Sequence, residues 1–281
     1  CVGRSRTLRS RWGTDMAPKT TRFVTRNHGT TSSMSIMTAS PPQDPLYPAS
    51  NLRNPDRFIV WGCPATGGDV AIGLNIGAGR TTHCVGILGF VNDSAGVFPN
   101  TWKLDAGAVW PRDGTWVSVV PARTLAASIG IVPLGTKRDD VVVLGAPVTH
   151  RYWEYTFGFN SLAGFSWGLP LTASLEDLGI AYSSDSTETM LLQRVRQVTV
   201  SGNPSVTEVG RPRSRRVMQF RSITEAMLTK IRQFVASTPN VIVDPFDVPI
   251  HVQLVEDSMV ITHRFGPPDL YDVELAVESM S

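Results

Sequence analysis

Apolar residues along this chain recur at two spacings, and the shorter one dominates. Val70, Ile72, Leu74 and Ile76 alternate with small or polar residues, the period-two mark of a strand with one buried face. Gly77-Ala78-Gly79 then predicts a turn. From His83 to Val91 the chain is apolar on both sides, with Val85, Ile87 and Gly89 on one and Cys84, Leu88 and Phe90 on the other. That is expected of a strand inside a sandwich. Phe58–Trp61, Thr101–Leu104, Trp116–Pro121 and Val141–Leu144 read as further strands, with Gly and Pro in the gaps. After His150, residues Tyr152, Glu154, Thr156 and Gly158 share one face, while Trp153, Tyr155, Phe157 and Phe159 share the other. This predicts a strand with an aromatic inner side. Gln193–Val200, Arg213–Phe220, Val241–Val243, Ile250–Val255, Met259–Arg264 and Tyr271–Val277 complete the strand candidates.

The longer spacing appears clearly once. Ser222-Ile223-Thr224-Glu225 has the form of a capping box, and Ile223, Met227, Ile231 and Phe234 follow at helical spacing before Pro239. A helix is predicted over 223–236. The fold class is therefore mainly β: an N-terminal β-sandwich over 44–148, then a C-terminal β-rich α+β module over 149–281 with one clear helix.

Composition adds bounds. The 281 residues suffice for one large domain or two ordinary ones, and 42% hydrophobic content allows a real core. Twenty-four Gly and 20 Pro suit strands joined by many turns. Residues 1–43 form a basic leader or arm without hydrophobic periodicity. Its first forty residues hold seven bases and one acid, leaving 19 bases against 23 acids in residues 41–281. A transit peptide, a basic arm that orders against a neighbouring subunit, and an upstream translation artefact all fit this leader. The mildly acidic body gives no electrostatic support to nucleic-acid binding. Three cysteines, Cys1, Cys63 and Cys84, argue against a disulfide framework. No apolar run approaches the roughly 20 residues that span a bilayer, so membrane insertion is not expected.

Candidate chemistry is sparse. Gly164-Phe165-Ser166-Trp167-Gly168 fits G-x-S-x-G, and Asp244 with His251 or His263 would supply the acid and base of a serine hydrolase using Ser166. A nucleophile elbow needs a helix directly after the serine, and Pro170 with the short run to Gly179 gives no amphipathic stripe. Gly130-x4-Gly135-Thr136-Lys137 has the Thr and Lys of a phosphate loop in reversed order. Cys63, His83 and Cys84 fail as a metal site because neighbours on a strand point to opposite faces. Glu176, Asp177 and Asp185 are acids of a solvated loop rather than a glycosidase pair. No cofactor, no metal and no enzymatic activity are expected.

Two resemblances then shape the expectation. Tyr47-Pro48-Ala49-Ser50-Asn51-Leu52, Trp61, Ile72-x-Leu74-x-Ile76-Gly77 and Val85-x-Ile87-Leu88-Gly89-Phe90-x-Asn92 resemble the discoidin-like jelly rolls of phage virion proteins. Val91-Asn92 stands where His-Asn is frequent in that pattern. The Arg-rich strand ending in Phe220, the capped helix, Arg264-Phe265-Gly266 and Tyr271-Asp272-Val273-x-Leu275-x-Val277-Glu278 resemble the closing sheet of phage distal-tail and baseplate adaptor proteins. The resemblance implies a structural component of a tailed phage tail tip, baseplate or neck. It would be assembled in the host cytoplasm, with copies of itself in a ring and other virion tail or neck proteins as partners. Jelly rolls of this kind often bind sugars through loops at one end, which makes a carbohydrate-binding host-adsorption protein the alternative and host surface glycans further partners. Trp102, Asp105, Trp110 and Arg112 lie in or near loop-like sequence and are the candidate carbohydrate-binding residues. A role plugging the end of the sandwich or an interface suits the two tryptophans better.

Overall fold

The computed structural model describes residues 20–30, 35–40, 46, 48–54, 61–63, 69–92, 101–124, 137–158, 165–191, 194–198, 204–208, 213–245, 248–266 and 268–279. Most of the basic leader, Phe58–Val60 and the phosphate-loop-like run up to Thr136 lie outside the described residues. The chain forms two compact units, one of residues 24–176 with 237–239, the other of 1–23, 177–236 and 240–281.

The first unit is a sandwich of antiparallel strands. It holds most of β1 (Arg22–Asn27), then β2 (Ser35–Ser40), β3 (Trp61–Cys63), β4 (Val70–Asn92), β5 (Thr101–Gly107), β6 (Val117–Thr124), β7 (Lys137–Gly158), β8 (Phe165–Trp167) and β9 (Leu169–Asp177). The long β4 organises the rest: its first half lies between β2 and β7, its second half between β9 and β7. β7 in turn carries β5, and β5 carries β6.

Val70, Ile72, Leu74 and Ile76 are all fully buried, as their alternation predicts. The aromatic side of β7 meets them: Trp153, Tyr155 and Phe157 are also fully buried, in one cluster with Trp61, Trp102 and Trp167. Tyr155 and Phe157 stand 4.9 and 5.1 Å from the Trp167 ring. Several polar edges in this cluster are answered. Tyr155 donates its hydroxyl to the Leu171 carbonyl at 2.9 Å, and the Trp167 indole donates to Leu169 at 3.0 Å. Large rings with satisfied polar edges are the most productive way to fill such a core.

Three expectations are revised. β7 belongs to the sandwich, so the unit changes near residue 176 and not at 148. Gly77-Ala78-Gly79 is no reversal: β4 runs through it with a register irregularity between Asn75 and Arg80, and Gly77 takes φ 90°, as bulge glycines do. The leader, thirdly, is partly folded, since β1 and β2 lie within it and Phe23 and Val24 are fully buried.

The second unit is a sheet with one helix, as the strand–helix–strand order predicts. β13 (Arg213–Ile223), β16 (Leu270–Ser279), β15 (Pro249–Arg264) and β14 (Asn240–Val243) pair in that order, with β10 (Thr187–Leu191) on β13. β11 (Arg194–Val198) and β12 (Pro204–Glu208) form a separate ribbon. The helix α1 (Glu225–Val235) buries Leu228, Ile231 and Phe234 in a cluster with Phe220, Ile223, Val273 and Leu275. Phe23 stacks on Phe234 at 4.5 Å. The cap differs from the expected box. Ser222 stands at φ 54° with its amide bound to Asp272, and the cap falls two residues later, where Thr224 accepts from the Met227 amide. β13 continues into buried Ile223, which leaves Ser222 no room to serve as the cap.

Candidate ligand-binding surface

The registers of β4, β7 and β5 place the side chains that core packing does not use on one outer face. Gly73, Glu154 and Asp105 share a rung, and Asn75, Tyr152 and Gly107 share the next. Two carboxylates side by side on a rung repel, so this pair needs a cation. The loop between β5 and β6 supplies it: Arg112 donates from Nη1 to Asp105 Oδ2 at 2.8 Å and to Glu154 Oε1 at 2.9 Å. Partial burial disfavours the Arg112 charge, but the two carboxylates outweigh it and raise its proton affinity above the usual arginine value.

The same loop lays two indoles on the face. A Cβ on Gly73 would sit 2.4 Å from the Trp110 ring, and one on Gly107 would sit 2.5 Å from that of Trp116. The rings therefore occupy space that only glycine leaves open. Trp110 lies 5.7 Å from Trp116 and 6.3 Å from Tyr152, ring centre to ring centre. Both tryptophans and Tyr152 are half-buried. Two cations cover ring faces: the Arg112 guanidinium lies 5.7 Å from the Trp116 centroid and that of Arg151 5.1 Å from Tyr152. Local bonds hold the loop. Asp113 accepts from the Thr115 hydroxyl at 2.6 Å and amide at 3.0 Å, which keep its carboxyl below the usual range. The Trp116 indole donates to the Val109 carbonyl at 3.0 Å.

Of the four candidate residues, Asp105, Trp110 and Arg112 are brought together. Trp102 is not, which corrects that assignment. It faces the other side of β5, is fully buried, and donates its indole N–H to Asp140 at 2.7 Å. Thr101–Leu104 is strand, and alternation sends Trp102 inward with Leu104 and Ala106 while Asp105 faces out. Trp116, Glu154 and Tyr152 went unrecognised as site residues. Glu154 and Tyr152 were already visible as the polar side of an aromatic strand, but their pairing with β5 was not.

Among the described residues, the expected hydrolase geometry is not formed. Ser166 lies within β8, paired with Gly62 and Val91, and the chain passes directly into β9. The strand–turn–helix of a nucleophile elbow is not formed. Asp177 accepts from the Gly179 amide, and Asp185 from Arg221 at 2.8 Å. Cys84 is fully buried.

No protein-family model matches this chain, and no curated protein does. Solved structures do match. A family 32 carbohydrate-binding module of Clostridium perfringens NanJ, determined with galactose, is 14% identical, and the alignment covers 54% of this chain and 99% of that one at a TM-score of 0.40. A module from a family 31 glycoside hydrolase of the same organism is 10% identical over 52% of this chain and 97% of its own, at 0.41. Chitosan-binding module 1 of a Paenibacillus sp. IK-5 chitosanase/glucanase is 13% identical over 53% and 99%, at 0.38. The folds matched are those of bacterial carbohydrate-binding modules, not the virion, bacteriophage-tail or baseplate proteins that the resemblance implied.

Proposed function

We propose that this protein binds carbohydrate on the outer face of β4, β7 and β5, under the loop of residues 108–116. The observation that carries this reading is the pair of half-buried indoles, Trp110 and Trp116, held on glycines beside the partly exposed guanidinium of Arg112. Indole faces stack on the C–H faces of a sugar ring, and a fixed guanidinium donates to its oxygens. The rigid sheet beneath supports this function, because a ligand that meets a preorganised face loses little affinity to ordering it.

The test is a glycan array with the purified chain, followed by calorimetry on the retained sugars. Trp110→Ala is expected to weaken binding at least about tenfold, the order of one good ring contact plus its burial. A folded wild-type chain that retains no glycan across the array overturns the proposal.

A further inference from the structure

We infer that the sugar taken at this face carries a carboxylate, as a uronic or sialic acid does. The inference rests on the carbohydrate-binding reading and narrows it to an acidic glycan class.

The argument lies in which edge of Arg112 is used. Both of its protein bonds leave from Nη1, to Asp105 and to Glu154. Among the described residues, Nε and Nη2 have no acceptor, and the side chain is 44% exposed. Nε–H and one Nη2–H form a parallel fork, which matches the two oxygens of a carboxylate.

Neutral sugars are served less well there. A sugar hydroxyl donates as well as accepts, so a vicinal diol is best held by a donor and an acceptor side by side. The acceptors beside this fork are already engaged: Asp105 is 4% exposed and Glu154 15%, and both face Nη1. The loop's exposed carboxylate, Asp113, is turned to the Thr115 amide and hydroxyl. Besides Asp113, the charges left facing solvent around the indoles are cations. Lys103 is 41% exposed, 3.8 Å from Asp105, and Arg151 is exposed over Tyr152. The face therefore offers aromatic surface and donors, with the carboxylates beside the fork, Asp105 and Glu154, turned to Nη1.

The experiment uses matched probes: trigalacturonate, a hyaluronan tetrasaccharide and sialyllactose, each against its neutral methyl ester, by calorimetry on the full chain. The expected result is at least about tenfold tighter binding of one free acid than of its ester, since hydrogen bonds to a charged partner are worth roughly that ratio. The preference should shrink as NaCl is raised. Arg112→Lys keeps the charge over the acids but removes the fork. It should abolish the preference, weakening the free acid at least about tenfold more than its ester, with Arg112→Gln as the second variant. Equal affinity for acid and ester, lowered alike by both variants, overturns this inference and leaves the carbohydrate-binding reading standing. No binding of any probe or of any arrayed glycan ends both.

Discussion

At the scale of single residues, the site depends on what two positions lack. Gly73 and Gly107 are the floor on which the indoles lie. A methyl group at residue 73 would meet the Trp110 ring at 2.4 Å, closer than carbon atoms approach without displacement. Gly73→Ala is therefore expected to lift the ring and reduce glycan retention to the level of Trp110→Ala, at a stability cost of about 1–3 kcal/mol. Gly79→Ala, on the same strand, is the control. Its new methyl meets only Thr149 Cγ2 at ordinary contact, 3.5 Å, so both retention and melting temperature should hold. Equal behaviour of the two variants on the array would dissociate Trp110 from binding.

At the scale of elements, the start of α1 offers a second test. Thr224→Ala removes the side chain that accepts from Met227 and should cost about 1 kcal/mol in urea unfolding. Ser222→Gly should instead gain about 0.4–1 kcal/mol, because Ser222 sits at φ 54° where glycine is unstrained. A true capping box at Ser222 would give the opposite pair of signs. These elements also show what the residue pattern carries. The period-two runs from Val70 to Ile76 and from Trp153 to Phe157 were legible because each strand must hide one face whatever it pairs with. The partner itself was not legible. β4 and β7 pair across some eighty residues, for example Ile72 with Tyr155, and no local periodicity encodes that choice. For this reason the expected boundary at 148 falls inside β7. Thr101–Leu104 reads as strand, but Lys103, Asp105 and Gly107 hide which of its faces is core, and the structure sends Trp102 inward. The site was half visible: loop residues Trp110 and Arg112 could be suspected, whereas Glu154 enters only through register.

For the whole molecule, the two units carry opposite kinds of titrating group, and acid should weaken both. His28 in the sandwich is 3% exposed, with Nε2 3.1 Å from Ser174 Oγ. Burial, then the nearby Arg80 charge, lowers its pKa from 6.5 to about 4. The unfolded chain takes up that proton first, so the stability is full above about pH 6.5 and is lost as pH falls toward 4, by no more than about 3 kcal/mol. In the second unit, burial pushes the Asp272 carboxyl up. The Ser222 amide at 2.8 Å and Arg264 at 2.6 Å outweigh it and hold the carboxyl below its usual range. Its contribution is present at neutral pH and lost as pH falls through that lowered value. Denaturation measured from pH 8 to 3 should thus show two losses, the first flattened in His28→Gln and the second in Asp272→Asn. Unchanged slopes in these variants would assign the acid lability to other groups. One last feature bears on how the chain is made. Phe23 pairs with Ile242, so the second unit draws its core from both sides of the sandwich in the chain. During translation, the sandwich can close soon after residue 176 has left the ribosome, whereas Phe23 waits for Phe220, Phe234 and Ile242, roughly two hundred residues further on. A chaperone that shelters nascent apolar segments is expected to find its longest-lived target on this chain there.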